Sequence, residues 1–192
     1  MEPLPSLVRT ERLVLRPWTT DDAPTMSAAI AASVDHLRPF MPWIADEPLT
    51  VDARLALIEQ FRTDWESGGD AVYGVFLDDA AIGGTGLHRR RGATVLDIGY
   101  WVNVDHIGNG YATEIAAALT TTALEIDGID TVEIHHDRAN ERSRRVPQRL
   151  GYELVGETID VASSPGDEGV DVAWRMTIDR WPAAAGVRTQ PR

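Results

Sequence analysis

Residues 97–116 read DIGYWVNVDHIGNGYATEIA, an apolar segment that runs into a glycine-bearing turn and then into a helical pattern. The pattern predicts a strand that ends near Val102 and a helix that begins near Asn109. The first N–H groups of a helix lack partners within the helix, and the helix dipole adds partial positive charge there. Gly108 and Gly110 let the main chain approach a ligand closely. The stretch therefore predicts a phosphate-type anion site at the start of this helix.

The composition is that of a globular domain. The chain has 192 residues, 43% of them hydrophobic, so we expect one domain over residues 1–180 and a flexible tail over 181–192. Cysteine is absent, which excludes disulfides, thiolate nucleophiles and zinc–cysteine sites. The first residues lack the basic and apolar parts of a secretion signal, and no run of about eighteen apolar residues occurs. We therefore expect a cytoplasmic protein that is neither exported nor membrane-spanning.

The charge balance is acidic, with a formal net charge of −12 at pH 7. Such a chain repels nucleic acid and anionic membranes and attracts cations, so amines are reasonable partners. The 18 basic residues other than histidine are all arginines, and eight of them form two clusters: Arg89–Arg91, and a second group of Arg138, Arg142, Arg144, Arg145 and Arg149. Either cluster could hold a polyphosphate. For the second cluster, a solvated helix face is an equally good interpretation.

The remaining elements follow from hydrophobic periodicity and from capping and turn residues. Strands are predicted over residues 8–17, 71–77, 81–88, 94–102, 131–136, from 152 onward, and over 170–178. Helices are predicted from the Thr19–Asp22 caps to about Ser33, from Thr50 to about Ser67, and over residues 109–126 and 140–150. Residues 33–44 form a helical turn and a proline-broken aromatic loop, and residues 163–169 form a mobile loop. The predicted fold class is α+β (mixed α/β), with an antiparallel meander at its centre.

Several short motifs occur in one order along the chain: TERLVLRPW at 10–18, IGG at 82–84, IGYW at 98–101, GNGYATE at 108–114, and NERS at 140–143 before LGY at 150–152. In this order the chain resembles the GCN5-related N-acetyltransferase (GNAT) superfamily, in its RimJ/RimL-type branch, over about residues 8–180. The resemblance implies a central, mostly antiparallel twisted sheet of six to seven strands flanked by helices. It also implies a splay between the fourth and fifth strands, residues 94–102 and 131–136.

The resemblance implies acetyl-CoA as the acyl donor. Its diphosphate is expected on the N–H groups of Gly108, Gly110 and Ala112, with Asn109 capping the helix. The pantetheine arm is expected in the splay, where an exposed strand edge can pair with its amides. The remaining cofactor-binding residues implied by the motifs are Trp101, Val102, Asn103, Ile107, Tyr111, Asn140 and Ser143. For Asn140, a simple helix cap is a compatible interpretation.

The motifs also imply two residues for the chemistry. Asp97 matches an acidic position before Gly-Tyr-Trp and is the expected base, directly or through water, unless it is merely an exposed strand aspartate. Ser143 matches a family serine proposed to protonate or stabilise the departing sulfur; the alternative is an ordinary serine on the helix surface. A backbone N–H near Val102 is the expected oxyanion donor. Pro147 stands where many members of this fold carry a tyrosine acid, which removes that mechanism and puts a proline inside a predicted helix.

The acceptor implied by the resemblance is a primary amine, either a protein N-terminus or a small molecule. Trp43, Tyr100 and His136 could line its pocket, and no spacing indicates a metal site. The acceptor's identity and the length of the acyl group stay open, and relatives often form homodimers. A dinucleotide-binding oxidoreductase is disfavoured because Thr113 stands where its third glycine belongs. A non-catalytic coenzyme A-binding or peptide-binding member of the same fold is the other alternative.

Overall fold

An eight-stranded sheet runs through the part of the chain that the computed structural model describes, residues 4–181. Along the chain the strands and helices are β1 (Val8–Arg9), β2 (Leu13–Pro17), α1 (Ala23–Leu37), α2 (Val51–Glu66), β3 (Ala71–Leu77), β4 (Ala80–His88), β5 (Val95–Val102), α3 (Tyr111–Leu124), β6 (Thr131–Asp137), α4 (Glu141–Arg149), β7 (Glu153–Ile159) and β8 (Val170–Thr177). The order across the sheet is β1-β2-β3-β4-β5-β6-β8-β7, and only β5 and β6 run parallel. The predicted mixed, mostly antiparallel architecture is therefore confirmed.

The parallel pair β5 and β6 is joined along only part of its length. Pairing covers Val95–Asp97 of β5 and Thr131–Glu133 of β6. Beyond Asp97, β5 stays paired with β4 as far as Val102, while β6 continues along β8 to Asp137. The two strands therefore separate after three residue pairs, and one edge of β5 opens. This is the splay predicted between the strands at 94–102 and 131–136.

The predicted count of six to seven strands was too low by one. The first predicted strand, residues 8–17, is divided into β1 and β2 by a turn at Thr10. The Thr10 N–H donates to the Leu13 carbonyl at 2.9 Å, and the Leu13 N–H donates to Thr10 Oγ1 at 2.8 Å. These bonds reverse the chain, so that Val8 pairs with Leu15 across an antiparallel ladder.

Two hydrophobic cores lie on opposite faces of the sheet. The larger core packs α3 against the sheet, and the predicted stripe Ile115, Leu119 and Ala123 is fully buried in it, with Ile126 partly buried at its edge. The smaller core contains side chains from α1 and α2. Burial of this kind is the main stabilising term in folding. It also holds the sheet rigid between the helices.

Helix α1 is longer than predicted, and helix α3 (Tyr111–Leu124) is two residues shorter at each end than the predicted 109–126. Helix α1 continues past Ser33 to Leu37, because its buried face continues to Leu37, which packs in the smaller core. The Ser33 hydroxyl is satisfied within the helix by the Ala29 carbonyl at 2.9 Å. At the first residue of the predicted tail, the Trp181 indole N–H donates to Thr121 Oγ1 at 3.0 Å. Residues 182–192 lie outside the described residues. No helix within residues 4–181 is long and apolar enough to cross a membrane.

The ion pair between Arg16 and Asp22 gives a prediction for stability. Hydrogen bonds from Arg16 lower the pKa of the Asp22 carboxyl from 3.8 to about 2. Because the folded-state pKa is depressed, the stabilisation is present above about pH 4 and is lost as the pH falls toward 2. Asp22→Asn should lower the free energy of unfolding at pH 7 by about 1 kcal/mol, allowing for solvent screening. Urea titrations at several pH values should show the difference shrinking in acid, and a difference that is constant with pH would contradict it.

Candidate active site

The turn between β5 and α3 is open to a ligand. Gly108 and Gly110 have φ angles of 81° and 82°, a left-handed conformation that glycine adopts without strain. A Cβ atom on Gly108 would meet nothing within 4 Å, so this side of the turn faces empty space. The first helical bond of α3 runs from Glu114 N–H to the Gly110 carbonyl, which leaves the N–H groups of residues 111–113 without helical partners. The geometry fits a bound phosphate.

Asn109 does not cap α3, and the prediction that it does was wrong. The N-cap is Gly110, which has no side chain to offer. The Asn109 side-chain amide turns back and donates to the carbonyls of His106 at 3.1 Å and Ile107 at 3.3 Å. Asn109 therefore closes the turn, and the helix N–H groups stay available to a ligand.

The first turn of α3 is tied to the start of the chain by Glu114. Its carboxylate accepts from the Arg12 main-chain N–H at 3.0 Å, from Arg12 Nε at 2.7 Å, and from the Thr10 hydroxyl. Arg12 Nη1 also donates to the Asn109 carbonyl at 3.2 Å, and its guanidinium lies over the Tyr111 ring. No site role was predicted for the motif at residues 10–18. Two of its residues, Thr10 and Arg12, nevertheless position the glycine turn.

A cavity of about 690 Å³ extends from the glycine turn along the open edge of β5. Most of the predicted cofactor-binding residues line it: Trp101, Val102, Ile107, Gly108, Gly110, Tyr111, Ala112, Asn140 and Ser143. Asn103 does not line the cavity, because its side chain is buried. Its oxygen accepts from the Asp105 N–H and its amide donates to the Ala29 carbonyl. We call this space the donor cavity.

The structure divides the second arginine cluster into two groups. Arg142, Arg145 and Arg149 lie on one face of α4 and line the donor cavity. Arg138 and Arg144 lie elsewhere and pair with Glu168 at 2.8 Å and Glu141 at 3.3 Å. Three cations of α4 therefore border the donor cavity together with the glycine turn, as expected for an anionic ligand. The first cluster, Arg89–Arg91, does not line this cavity.

A second cavity, of about 950 Å³, lies on the α1 and α2 side of the sheet. Its walls include several aromatic side chains, with Trp43 and Trp101 at a centroid distance of 6.0 Å. Glycines of β4 and β5 supply its floor. The three predicted acceptor residues, Trp43, Tyr100 and His136, all line it. We call this space the acceptor cavity.

The two cavities meet at the splay. Six residues line both: Phe40, Met41, Tyr100, Trp101, Asn140 and Ser143. Asn140 caps α4 by accepting from the Ser143 N–H at 3.1 Å. It also lines both cavities, so a cap and a ligand-binding residue are compatible at this position. Pro147 sits inside α4 and is buried. A donor group entering from one side and an acceptor from the other would come into contact here.

Tyr100 and Ser143 form a hydroxyl pair where the cavities meet. The Tyr100 hydroxyl lies 3.1 Å from Ser143 Oγ and also donates to the Ser143 carbonyl at 3.3 Å. Burial raises the pKa of Tyr100 to about 12, so the phenol stays protonated at neutral pH. The sequence motifs indicate Ser143 alone, and spacing along the chain offers no signal that Tyr100 joins it.

His136 has no free ring nitrogen. An indole N–H can only donate and a carbonyl can only accept, so the bonds assign Nδ1–H to the Asp137 carbonyl at 2.7 Å and a lone pair on Nε2 to the Trp174 indole at 3.0 Å. Burial lowers the pKa of His136, which keeps the ring neutral. His136 therefore presents ring surface to the acceptor cavity.

Asp97 lies on the same sheet face as Trp101, two positions from Gly99, and is half-buried. In register it sits between His88 of β4 and Glu133 of β6. Asp97 Oδ1 is buried and has no hydrogen-bond partner among the described residues. Asp97 is absent from the lining of either cavity, so any contact with a ligand passes through water or needs a change of rotamer.

An ionic cluster adjoins Asp97 on β6 and β8. Burial opposes charge on His135, but its bonds to Asp171 at 2.8 Å and Glu133 at 3.1 Å raise the pKa of the ring. Both ring nitrogens therefore donate, and His135 is an imidazolium. Arg175 binds Glu133 from the other side at 2.6 Å. Within residues 4–181, no three or more His, Asp or Glu side chains are arranged to hold a metal ion.

Comparison with known proteins agrees with this arrangement. The family model described as "Acetyltransferase (GNAT) domain" matches residues 12–153. A curated relative from Bacillus subtilis (strain 168), named "Putative ribosomal N-acetyltransferase YdaF", is 26% identical over 152 residues, covering 78% of this chain and 82% of the relative.

Solved structures share the fold. Mycobacterium smegmatis RimJ in complex with CoA-disulfide has a TM-score of 0.85 at 23% identity, covering 95% of this chain and 92% of that one. The microcin C7 self-immunity acetyltransferase MccE, in complex with acetyl-CoA and AMP, has a TM-score of 0.80 at 17% identity, covering 88% and 93%.

The family match spans most of the chain, from the Arg12 tether to the start of β7. It includes the glycine turn, the splay and the α4 cap described above. The resemblance of the sequence motifs is thereby confirmed. The chain belongs to the GCN5-related N-acetyltransferase (GNAT) family and is an acetyltransferase.

Proposed function

We propose that this acetyltransferase moves an acetyl group from acetyl-CoA to a primary amine by direct attack, through a tetrahedral intermediate and without an acyl-enzyme. The observation that carries the proposal is the meeting of the donor and acceptor cavities at Tyr100, Trp101, Asn140 and Ser143. A bound thioester and a bound amine held in contact there react as if at very high concentration. Positioning then supplies much of the rate.

The donor cavity supports binding of coenzyme A. The glycine turn with its free N–H groups suits the diphosphate, and Arg142, Arg145 and Arg149 add positive charge. The open edge of β5 beyond Asp97 can pair with the pantetheine amides. Bound acetyl-CoA supplies an activated thioester carbonyl. The side-chain Nδ2 of Asn140 is the proposed donor to the pantetheine, because its Oδ1 is used by the helix cap.

The acceptor ammonium must lose a proton before it attacks. We assign that role to Asp97, directly or through water, because its buried and unpartnered Oδ1 lies on the acceptor face of β5. A backbone N–H near Val102 is the proposed donor to the developing oxyanion.

The departing sulfur must be protonated or stabilised. Ser143 is the proposed donor, and Tyr100 completes the route because its protonated phenol lies beside Ser143 Oγ. These two hydroxyls take the place of the tyrosine that Pro147 replaces.

Ser143→Ala and Tyr100→Phe should each lower kcat by about 10-fold, because either change interrupts the proton route to the sulfur. The KM for acetyl-CoA should change less than kcat, as measured by initial-rate kinetics with thiol detection. Tyr73→Phe is the matched control, since it removes a buried hydroxyl that binds the Pro5 carbonyl on another part of the sheet. Full turnover in both Ser143→Ala and Tyr100→Phe would show that these residues do not deliver the proton to the sulfur.

The acceptor is proposed to be a protein N-terminus or a small-molecule amine. The acidic net charge favours cations, and the aromatic walls of the acceptor cavity suit an ammonium. The curated relative is named as a ribosomal N-acetyltransferase, which favours a protein N-terminus. A structural neighbour that binds AMP beside acetyl-CoA favours a small molecule.

The test is release of free thiol from acetyl-CoA and succinyl-CoA with a panel of N-terminal peptides and small amines. Turnover that depends on an amine is the expected result. Tight coenzyme A binding without turnover for any amine would instead support a non-catalytic coenzyme A-binding or peptide-binding protein. Light scattering during gel filtration tests the homodimer that the resemblance suggests.

A further inference from the structure

A second pair of groups that can accept a proton lies at the end of β4. His88 Nδ1 lies 2.8 Å from Asp70 Oδ2, and Arg90 Nη2 approaches the same oxygen at 3.0 Å. Burial opposes ionisation of Asp70, but bonds from the Arg89 N–H, His88 and Arg90 lower the pKa of its carboxyl. The carboxylate is therefore ionised, and two acceptors cannot lie 2.8 Å apart without a proton between them. Arg90 Nη2 also lies 3.0 Å from His88 Nδ1, but it has Asp70 Oδ2 as an acceptor at 3.0 Å, so the hydrogen on the shorter contact is assigned to His88 Nδ1. Nε2 is then the nitrogen left to react.

The free nitrogen of His88 faces the glycine floor of the acceptor cavity. A Cβ on Gly86 would lie 2.7 Å from His88 Nε2, and a Cβ on Gly99 would lie 3.4 Å from it. No described residue forms a hydrogen bond with Nε2, and His88 lines the acceptor cavity. The two glycines are register partners, so they leave a bare strip of sheet beside the imidazole.

This strip leads to the place where the two cavities meet. Gly99 and Trp101 lie on the same face, two residues apart on β5, which is about 7 Å along a strand. A short chain of waters on the strip can bridge such a distance between His88 Nε2 and an amine beside Trp101, since each hydrogen bond spans about 3 Å. Asp97 is the register partner of His88 and borders the same strip.

We infer that His88 is a second proton acceptor for the attacking amine, with Asp70 as its positioning residue. The inference rests on the proposed acetyl transfer and adds to the role of Asp97. One ammonium N–H bond breaks, and its proton passes to the bridging waters and from there to His88 Nε2 or to Asp97, so that the two groups share this one proton. The nitrogen lone pair forms the bond to the thioester carbonyl carbon, and the C–S bond breaks with its electron pair going to sulfur. The second amine proton is delivered to the sulfur by way of Ser143 and Tyr100.

An imidazole suits this task better than a carboxylate alone. Free imidazole side chains titrate at about 6.5 and free carboxyls at about 4, whereas amines titrate at about 8 to 10. As a class, an imidazole is therefore a stronger base than a carboxylate, and a general base works best when its proton affinity is close to that of the group it deprotonates. Asp70 stabilises the imidazolium that forms, in the way that a carboxylate orients the histidine of other proton-transfer pairs.

The charges that face His88 come from several elements. Asp70 precedes β3 and Arg90 follows β4, while Asp97 lies opposite on β5. Farther along the same face, Glu133 is held by Arg175, and His135 is already protonated between its two carboxylates. Neither of these two β6 residues is therefore a competing base.

The test compares His88→Gln with the wild-type enzyme across pH. At neutral pH we expect kcat/KM for the amine to fall by about 100-fold, with the KM for acetyl-CoA little changed. The difference in kcat/KM between His88→Gln and the wild-type enzyme should shrink as the pH approaches the pKa of the amine, because an unprotonated amine needs no base. For the same reason, a fluorinated ethylamine that is uncharged at neutral pH should be used almost equally well by both enzymes.

Two further variants keep the inference testable if His88→Gln folds poorly. Asp70→Asn should shift the acidic limb of the pH profile, and Gly99→Ala should cause a smaller, pH-dependent loss because its methyl group displaces a bridging water. If His88→Gln lowers kcat/KM by the same factor at every pH, and for the fluorinated ethylamine as much as for an ordinary amine, the inference is overturned and His88 has a structural role. Absence of turnover in the wild-type enzyme with every amine would instead remove the proposed acetyl transfer.

Discussion

Asp97→Asn should lower kcat about 100-fold or more at neutral pH. The substitution keeps the shape and polarity of the side chain but removes the negative charge that draws the proton from the acceptor ammonium, and general bases contribute on this scale. The KM for acetyl-CoA should change little, because Asp97 lines neither cavity. Steady-state kinetics with thiol detection separate the two constants.

The matched control for this variant is Asp105→Asn. Asp105 is exposed, follows the same strand and lies outside both cavities, so its loss of charge should leave kcat unchanged. A double variant with His88→Gln adds information. If Asp97 and His88 share one proton, the combined loss should be smaller than the product of the two single losses. Full turnover in Asp97→Asn would show that Asp97 is not the base.

Gly110→Asp should raise the KM for acetyl-CoA about 10- to 100-fold. A unit negative charge about 6 Å from a phosphate costs roughly 2 to 3 kcal/mol at an effective dielectric constant of about 20, and salt reduces this cost. Gly110 precedes the free N–H groups of α3 and borders the donor cavity, so the new carboxylate would add negative charge beside the proposed diphosphate site. A Cβ at this position would lie 3.8 Å from Arg12 Nη2, which offsets part of that charge.

Gly110→Asn is the control that isolates the charge. Asparagine matches aspartate in size, and both tolerate the left-handed conformation that the φ angle of 82° requires. Any strain is therefore common to the two variants, and the ratio of their KM values reports electrostatics alone. Equal KM values, or an Asp variant that becomes less impaired at low salt, would refute the phosphate assignment.

Features encoded by neighbouring residues were predictable. Thr50 accepts from the Ala53 N–H as a helix cap, and Asn140 caps α4 in the same way. The glycine turn is also local, because only the left-handed conformation and the missing side chains are needed to open it. The failure at Asn109 has a local cause too, since its amide had two acceptors within reach and took the turn carbonyls.

Contacts between distant residues were not predictable in the same way. The hydroxyl pair joins Tyr100 to Ser143 across 43 positions of sequence, and the second pair joins Asp70 to His88 across 18. Which arginines reach the donor cavity likewise depends on how α4 is rotated against the sheet. Such contacts follow from strand register and packing, for which a single sequence carries only a weak signal.

The sequence by itself therefore determined the order of elements, the glycine turn and the apolar faces, because periodicity and capping act over a few residues. Only the tertiary structure decided which polar groups meet. The splay after three residue pairs brings the two cavities together, and the β4–β5 register sets His88 beside Asp97. A one-residue change of register would turn these side chains to the opposite face of the sheet, which is why their proximity belongs to the folded chain.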